Sequence, residues 1–223
     1  KVIKMANILE KEISSLEKKI STISMKVEEN MNNAVSALVK NDTRIAKQVI
    51  NDDYAIDNFE IEVEEQCLKI LALHQPVAVD LRYIVSVLKI NNDLERIGDL
   101  VGNIAEVVIY LGEEKKAHVP PAIPEMAEIV SDMLKESLDA LFKKDINKAI
   151  NIQKRDDEVD TLHSKMYKYV EDNINNKKNN YMHDIRFLSV SRYLERIADH
   201  CTNIAEDVEY YIKGKITRHH FGD

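Results

Sequence analysis

The sequence has few of the residues that end helices or build strands and turns. Of its 223 residues only five are glycine and four are proline, 6% are aromatic, and tryptophan is absent. Because glycine and proline dominate tight turns, this scarcity predicts long helices joined by few loops. The two cysteines, Cys67 and Cys201, form no C-x-x-C pair, which argues against a disulfide framework and a thiolate zinc site. A reducing, cytoplasmic compartment fits them best.

Long apolar runs and an excess of positive charge are also missing. No apolar run reaches the roughly 18 residues that a membrane-spanning helix needs, so we expect contact with a membrane only through a partner. The formal net charge is -8. A negative field repels phosphate backbones, which argues against nucleic-acid binding. Hydrophobic residues make up 44% of the chain, enough for a sizeable core.

The chain contains an internal duplication. The segment LERIGDLVGNIAE at 94–106 returns as LERIADHCTNIAE at 194–206, a shift of 100 positions. Upstream, A-L-x-K-x-D at 37–42 returns at 140–145, a shift of 103. Because the shift falls from 103 to 100 along the chain, the second half has three fewer residues between these motifs. This predicts a shorter turn between the second and third helices of the second half.

Apolar residues at three- and four-residue spacing predict three helices in each half. Pro120, Pro121 and Pro124 lie in the only proline-rich stretch, which we interpret as a linker. We therefore predict an all-α fold of two tandem three-helix bundles, with repeats at 1–112 and 125–223 and the linker at 113–124. The six helices are predicted at about 8–40, 42–75, 79–111, 124–144, 145–173 and 183–213.

Two helices of each half carry acidic residues at four-residue spacing, which places them on one helix face. Like charges at this spacing destabilise a helix, and a bound cation would offset that cost. Hard oxygen ligands suit magnesium, calcium, manganese or ferric iron, and carboxylates from two helices can bridge more than one ion. The candidate metal ligands are Asp53, Asp57, Glu95, Asp99 and Asn103 in the first half, and Asp156, Asp160, Glu195, Asp199 and Asn203 in the second.

Two other interpretations of the acidic motifs remain open. The carboxylates could be solvated faces of a purely structural helical oligomer, paired with Arg96 and Arg196. A carboxylate-bridged iron enzyme is the other, but it needs Glu-x-x-His on two helices and the nearest match is Asp160-x-x-His163. We interpret His163 as a surface residue and His200, about 100° around its helix from the carboxylates, as a packing or surface residue. No phosphate loop or nucleophilic triad is found, so no enzyme is predicted.

The third helix begins with the segment HQPVAVDLR at 74–82. Asp80 is placed to cap or charge its first turn. Arg82 is either an ordinary ion-pair partner there or a support beside the acidic residues.

These motifs together resemble the PhoU family of phosphate-signalling regulators. The resemblance covers nearly the whole chain and includes QPVAxDLR at 75–82, both LERI motifs and the closing GKxxRH at 214–219. One small departure is Asp207, which stands where the first half has Val107.

The resemblance implies a function and partners. It implies a multinuclear metal cluster on each half, with iron or zinc as the metals and manganese or magnesium as alternatives. It also implies a cytoplasmic adaptor between the phosphate ABC transporter, through its ATPase PstB, and the sensor histidine kinase PhoR. Such a protein represses phosphate uptake and the phosphate-starvation response when phosphate is plentiful. A homodimer or other homo-oligomer is expected.

Overall fold

Long helices account for nearly all of the structure. The computed structural model describes residues 2–112, 118–176 and 181–215, and these ranges contain no strand. The predicted all-α fold of six long helices is confirmed. The helices are α1 (Val2–Lys40), α2 (Thr43–His74), α3 (Ala78–Gly112), α4 (Ala122–Lys143), α5 (Ile146–Asn175) and α6 (Tyr181–Lys213).

The connection between the first two helices has the same structure in both repeats. Asn41 and Lys144 adopt left-handed backbone conformations with φ of 52° and 53°, and an aspartate follows each of them. Asp42 Oδ1 accepts hydrogen bonds from the backbone N–H groups of Arg44 and Ile45, two and three positions on, at 2.9 and 3.2 Å. Asp145 Oδ1 does the same at 3.0 and 3.2 Å. These bonds satisfy N–H groups that have no partner within the helix, so α2 and α5 begin where the sequence predicted.

Replacing Asp145 by alanine is expected to lower the free energy of unfolding by about 1 kcal/mol, because two N–H groups of α5 lose their acceptor. Urea unfolding followed by circular dichroism measures this. Asp145→Asn is the matched control and should stay near wild type, because the asparagine oxygen still accepts both bonds. An equal loss in both variants would assign the effect to charge rather than to capping.

The two repeats meet along α3 and α6, which run antiparallel. Near the start of α3, Ser86 Oγ donates to the Asp207 carbonyl at 3.0 Å. Near its end, the Tyr110 ring lies 4.4 Å from the guanidinium of Arg186. α1 and α2 pack against α3, and α4 and α5 pack against α6, so a single hydrophobic core runs through both repeats. This arrangement places α2 beside α3, and α5 beside α6, where the acidic motifs lie.

Both cysteines belong to that core. Cys67 and Cys201 are buried and unbridged. Burial raises the pKa of both thiols, that of Cys67 to about 12. Neither is therefore a thiolate at neutral pH.

Helix ends differ from prediction around the linker, at the start of α1 and between α5 and α6. The predicted shorter turn in the second half is wrong, because five residues separate α5 from α6 and three separate α2 from α3. α4 begins at Ala122, so 122–124 of the predicted linker are helical. Pro124 is tolerated because N–H groups of the first turn have no intrahelical partner to lose. α1 begins at Val2 rather than near residue 8, since nothing in the intervening sequence breaks a helix. Residues 113–117 of the linker and Arg218 and His219 of the closing motif lie outside the described residues.

None of the described helices combines the length and apolar character required to cross a membrane.

Candidate metal centre

Carboxylates from α2 and α3 lie together in the first repeat. We call Asp53, Asp57, Glu95 and Asp99 the first carboxylate cluster. Burial, and then the charges of Asp57, Asp99 and Glu95, raise the pKa of Asp53 to about 6. Burial and the neighbouring Asp99 also raise the pKa of Glu95. The structure therefore brings together four of the five ligands predicted for this half.

Two glycines allow Asp53 to lie close to the backbone of α3. A Cβ atom added to Gly98 would lie 2.9 Å from Asp53 Oδ1, and one added to Gly102 would lie 3.7 Å from Oδ2. Asp53 Oδ1 is buried and accepts no hydrogen bond from any described residue. An oxygen held in this way costs free energy, which a proton or a cation would offset.

The second repeat holds the same arrangement between α5 and α6. We call Asp156, Asp160, Glu195 and Asp199 the second carboxylate cluster. Burial, and then the charges of Asp199 and Asp160, raise the pKa of Asp156 to about 6, as for Asp53. Burial and neighbouring carboxylates also raise the pKa values of Glu195 and Asp199. The duplication has thus conserved the electrostatics of the cluster within the chain as well as its residue types.

Two predicted support residues lie away from the clusters. Arg82 does not lie beside the acidic residues: its Nε donates to the Tyr211 carbonyl at 3.3 Å, at the end of α6. Asp80 lies in the first turn of α3, where it was predicted to charge the helix end. Arg82 precedes Glu95 by 13 residues on one helix, which separates them by about 20 Å along its axis.

The two predicted asparagine ligands differ from each other. Asn203 is exposed and its Nδ2 donates to Asp93 Oδ1 at 3.3 Å, so its amide is engaged across the interface between the repeats. Asn103, at the equivalent position, is partly buried on α3. Metal ligation by either residue stays a prediction.

The donor chemistry fits a hard cation, although the side chains are not arranged as a finished site. Within the described ranges, no three histidine, cysteine, aspartate or glutamate side chains converge closely enough to hold a metal ion. Arg96 takes up part of the negative charge, with Nε 3.3 Å from Glu95 Oε2 and Nη1 3.3 Å from Asp99 Oδ2. Asp57 and Asp99 are exposed, so their carboxylates have room to turn toward an ion. The residues would supply oxygen ligands alone, which suits magnesium, manganese or iron.

The histidines near the second cluster have other partners. His163 is partly buried rather than on the surface, with Nδ1 2.9 Å from Ser191 Oγ and its ring edge-on to Tyr167. Burial lowers its pKa. His200 is also partly buried, and its Nδ1 lies 2.8 Å from Asp93 Oδ1. Neither arrangement supplies the pair of Glu-x-x-His motifs that an iron enzyme of the helical-bundle type requires.

Sequence reasoning missed Glu60. Burial, and then the charges of Glu64 and Asp57, raise its pKa, and its charge also reaches Glu95. Its place three residues after Asp57 was a usable signal, since i and i+3 share a helix face. Glu60 is not repeated in the duplication, because the equivalent residue in the second half is His163.

Six long helices in two repeats, with facing carboxylates on the last two helices of each, define a class of all-α proteins built from tandem three-helix units. The family model of the PhoU domain matches the chain twice, at residues 20–108 and 123–208. The chain belongs to the PhoU family.

Known relatives and solved structures are similar to this chain over almost its full length. The phosphate-specific transport system accessory protein PhoU homolog of Clostridium acetobutylicum is 34% identical over 209 residues, covering 93% of this chain and 95% of its own. The Escherichia coli (strain K12) protein PhoU is 29% identical and covers 95% and 88%. The crystal structure of PhoU from Pseudomonas aeruginosa superposes with a TM-score of 0.89 at 32% identity, covering 92% of this chain and 99% of that one.

Proposed function

We propose that this chain is an accessory protein of a phosphate-specific transport system and a negative regulator of phosphate uptake and of the phosphate-starvation response. The observation that carries the proposal is the match of the PhoU domain model to both halves of the chain. It is supported by relatives of nearly the same length that are named as accessory proteins of that transport system.

In this proposal the chain works by contact rather than by catalysis. It links the transporter ATPase PstB to the sensor histidine kinase PhoR on the cytoplasmic side of the membrane, as a homodimer or other homo-oligomer. Its relatives are named accessory proteins, not enzymes. Long, rigid helices suit this role, because they present large surfaces of fixed shape to two partners.

The two carboxylate clusters are the proposed metal sites, with iron or zinc, or manganese or magnesium, as the ion. Support comes from the buried, unpartnered Asp53 Oδ1 and from the raised pKa values of Asp53 and Asp156. A bound cation would neutralise the remaining negative charge of both clusters and would hold α2 against α3 and α5 against α6. Because only the folded chain assembles these carboxylates, binding would also stabilise the fold by mass action.

The regulatory role is tested in the source bacterium by deleting the gene and measuring phosphate uptake and a phosphate-starvation reporter in phosphate-rich medium. We expect both to rise in the deletion strain and to return to the starting level when the full chain is supplied from a plasmid. Asp145→Asn, which keeps the cap of α5, is the control that should complement as well as wild type. Unchanged uptake and reporter activity after deletion would contradict the proposal.

A further inference from the structure

A cleft lies where the first repeat meets α6, and none of the eight carboxylates of the two clusters lines it. Its volume is about 660 Å³, and residues of α2, α3 and α6 line it. Among the described residues that line it, five carry carboxylates and Lys89 carries an ammonium group, and Asp93 already contacts His200 and Asn203. These carboxylates belong to Glu60, Glu64, Asp93, Glu206 and Asp207.

A buried acceptor also belongs to this cleft. Asn91 lines it and is 1% exposed. Its Nδ2 donates to the Glu60 carbonyl at 2.9 Å, which sets the orientation of the amide. Asn91 Oδ1 is buried and has no hydrogen-bond partner within the described part of the chain. A buried acceptor without a donor is costly, so this oxygen indicates that a hydrogen-bond donor enters the cleft.

The chain itself shows how the cleft holds an ammonium group. Lys89 Nζ lies 3.1 Å from Asp207 Oδ1 and 5.3 Å from the centre of the Tyr210 ring. A carboxylate and the face of an aromatic ring together form a favourable environment for an organic cation. The side chain of Leu88 adds an apolar surface for methylene groups.

The duplication provides an internal comparison, because three acidic residues of the cleft are replaced in the second repeat. At shifts of 103 and 100, His163, Tyr167 and Tyr193 stand where the first repeat has Glu60, Glu64 and Asp93. The buried asparagine is replaced by Ser191, whose Oγ lies 2.9 Å from His163 Nδ1. The carboxylate clusters are repeated whereas these residues of the cleft are not, so the metal sites do not explain the cleft.

We propose that this cleft binds a linear organic polyamine, with its ammonium groups on the carboxylates and one N–H donated to Asn91 Oδ1. Glu60 and Glu64 are one helical turn apart, about 6 Å, which suits ammonium groups separated by three or four methylenes. The site is independent of the proposed regulatory function.

Isothermal titration calorimetry of the full chain with spermidine tests the proposal, in buffer containing a large excess of Mg²⁺ to occupy and screen other acidic sites. We expect one spermidine per chain. The variant Glu60→Gln/Glu64→Gln removes two charges from the cleft and should weaken binding by about tenfold or more. Its matched control is Glu125→Gln/Glu158→Gln, which removes two charges from a separate cavity of about 390 Å³ beside α4 and α5 and should bind as wild type does.

The variant Asn91→Ser distinguishes specific binding in the cleft from general attraction by charge. It leaves the charge of the cleft unchanged and installs the residue of the second repeat, so attraction by charge alone predicts no loss of affinity. The proposed site predicts weaker binding, with thermal melting confirming that the variant is folded. Three results would overturn the proposal: no spermidine binding to wild type, equal losses in the cleft and control double variants, or complete displacement by Mg²⁺.

Discussion

Wild-type protein is expected to be purified with more than one iron, zinc or manganese ion per chain, and the variant Asp99→Ala/Asp199→Ala with none. Each substitution removes one proposed oxygen ligand from one of the two carboxylate clusters. Both side chains are exposed, so their loss leaves no cavity in the core. The helical circular dichroism signal should therefore stay near that of wild type. Elemental mass spectrometry of the two proteins, purified in parallel, makes the measurement.

A control with the same change in charge sharpens this comparison. Glu10→Ala/Glu171→Ala removes one exposed carboxylate from each repeat, outside both clusters, and should keep its metal. Wild-type protein that is metal-free and takes up no added ion would refute the metal proposal. The clusters would then be charged faces, as the ion pairs of Arg96 with Glu95 and Asp99 already illustrate. A lost helical signal in the Asp99/Asp199 variant would instead assign these residues to the fold.

Metal-free protein is expected to be more stable at about pH 5 than at about pH 7, a reversal of the usual trend for carboxylates. The pKa values of Asp53 and Asp156 are raised from 3.8 to about 6 in the folded chain. The folded state therefore holds protons that the unfolded state has released. The stabilisation by these protons is complete below pH 4 and is lost as the pH rises toward 6.

Replacing both residues with asparagine should remove this dependence. Because the two side chains are partly exposed, we discount the full effect of the pKa shifts to about 1–2 kcal/mol for each residue. In the presence of a chelator, Asp53→Asn/Asp156→Asn should be more stable than wild type at neutral pH by about 2–4 kcal/mol in total. Urea unfolding at the two pH values measures both quantities.

Asp139 provides the opposite case as a control. Hydrogen bonds from Lys143 and Lys148 lower its pKa to about 2, so its stabilising effect is present above pH 4 and lost as the pH falls toward 2. Asp139→Asn should therefore destabilise the protein at neutral pH. Stability of the Asp53/Asp156 variant equal to or below that of wild type at neutral pH would show that the buried carboxylates carry no penalty, and would weaken the case for a cation at the clusters.

Local sequence signals predicted much of the architecture and the composition of the clusters. Asp42 and Asp145 cap their helices through bonds to residues two and three positions away, so short-range spacing was sufficient to locate them. The four-residue spacing of Glu95 and Asp99 places both on one face for the same reason. The repeat then indicated which second helix faces them, because Asp53 and Asp57 recur as Asp156 and Asp160.

The sequence by itself determined the helices, the duplication and which carboxylates share a face, because these depend on periodicity along one chain. Only the tertiary structure decided which residues meet across helices. It directed the Arg82 side chain to the end of α6, brought Asp53 against Gly98 and left Asn91 Oδ1 at the cleft with no hydrogen-bond donor among the described residues. Such contacts depend on how α3 crosses α2 and α6, and that crossing is set by the packing of the whole core rather than by the spacing of any one motif.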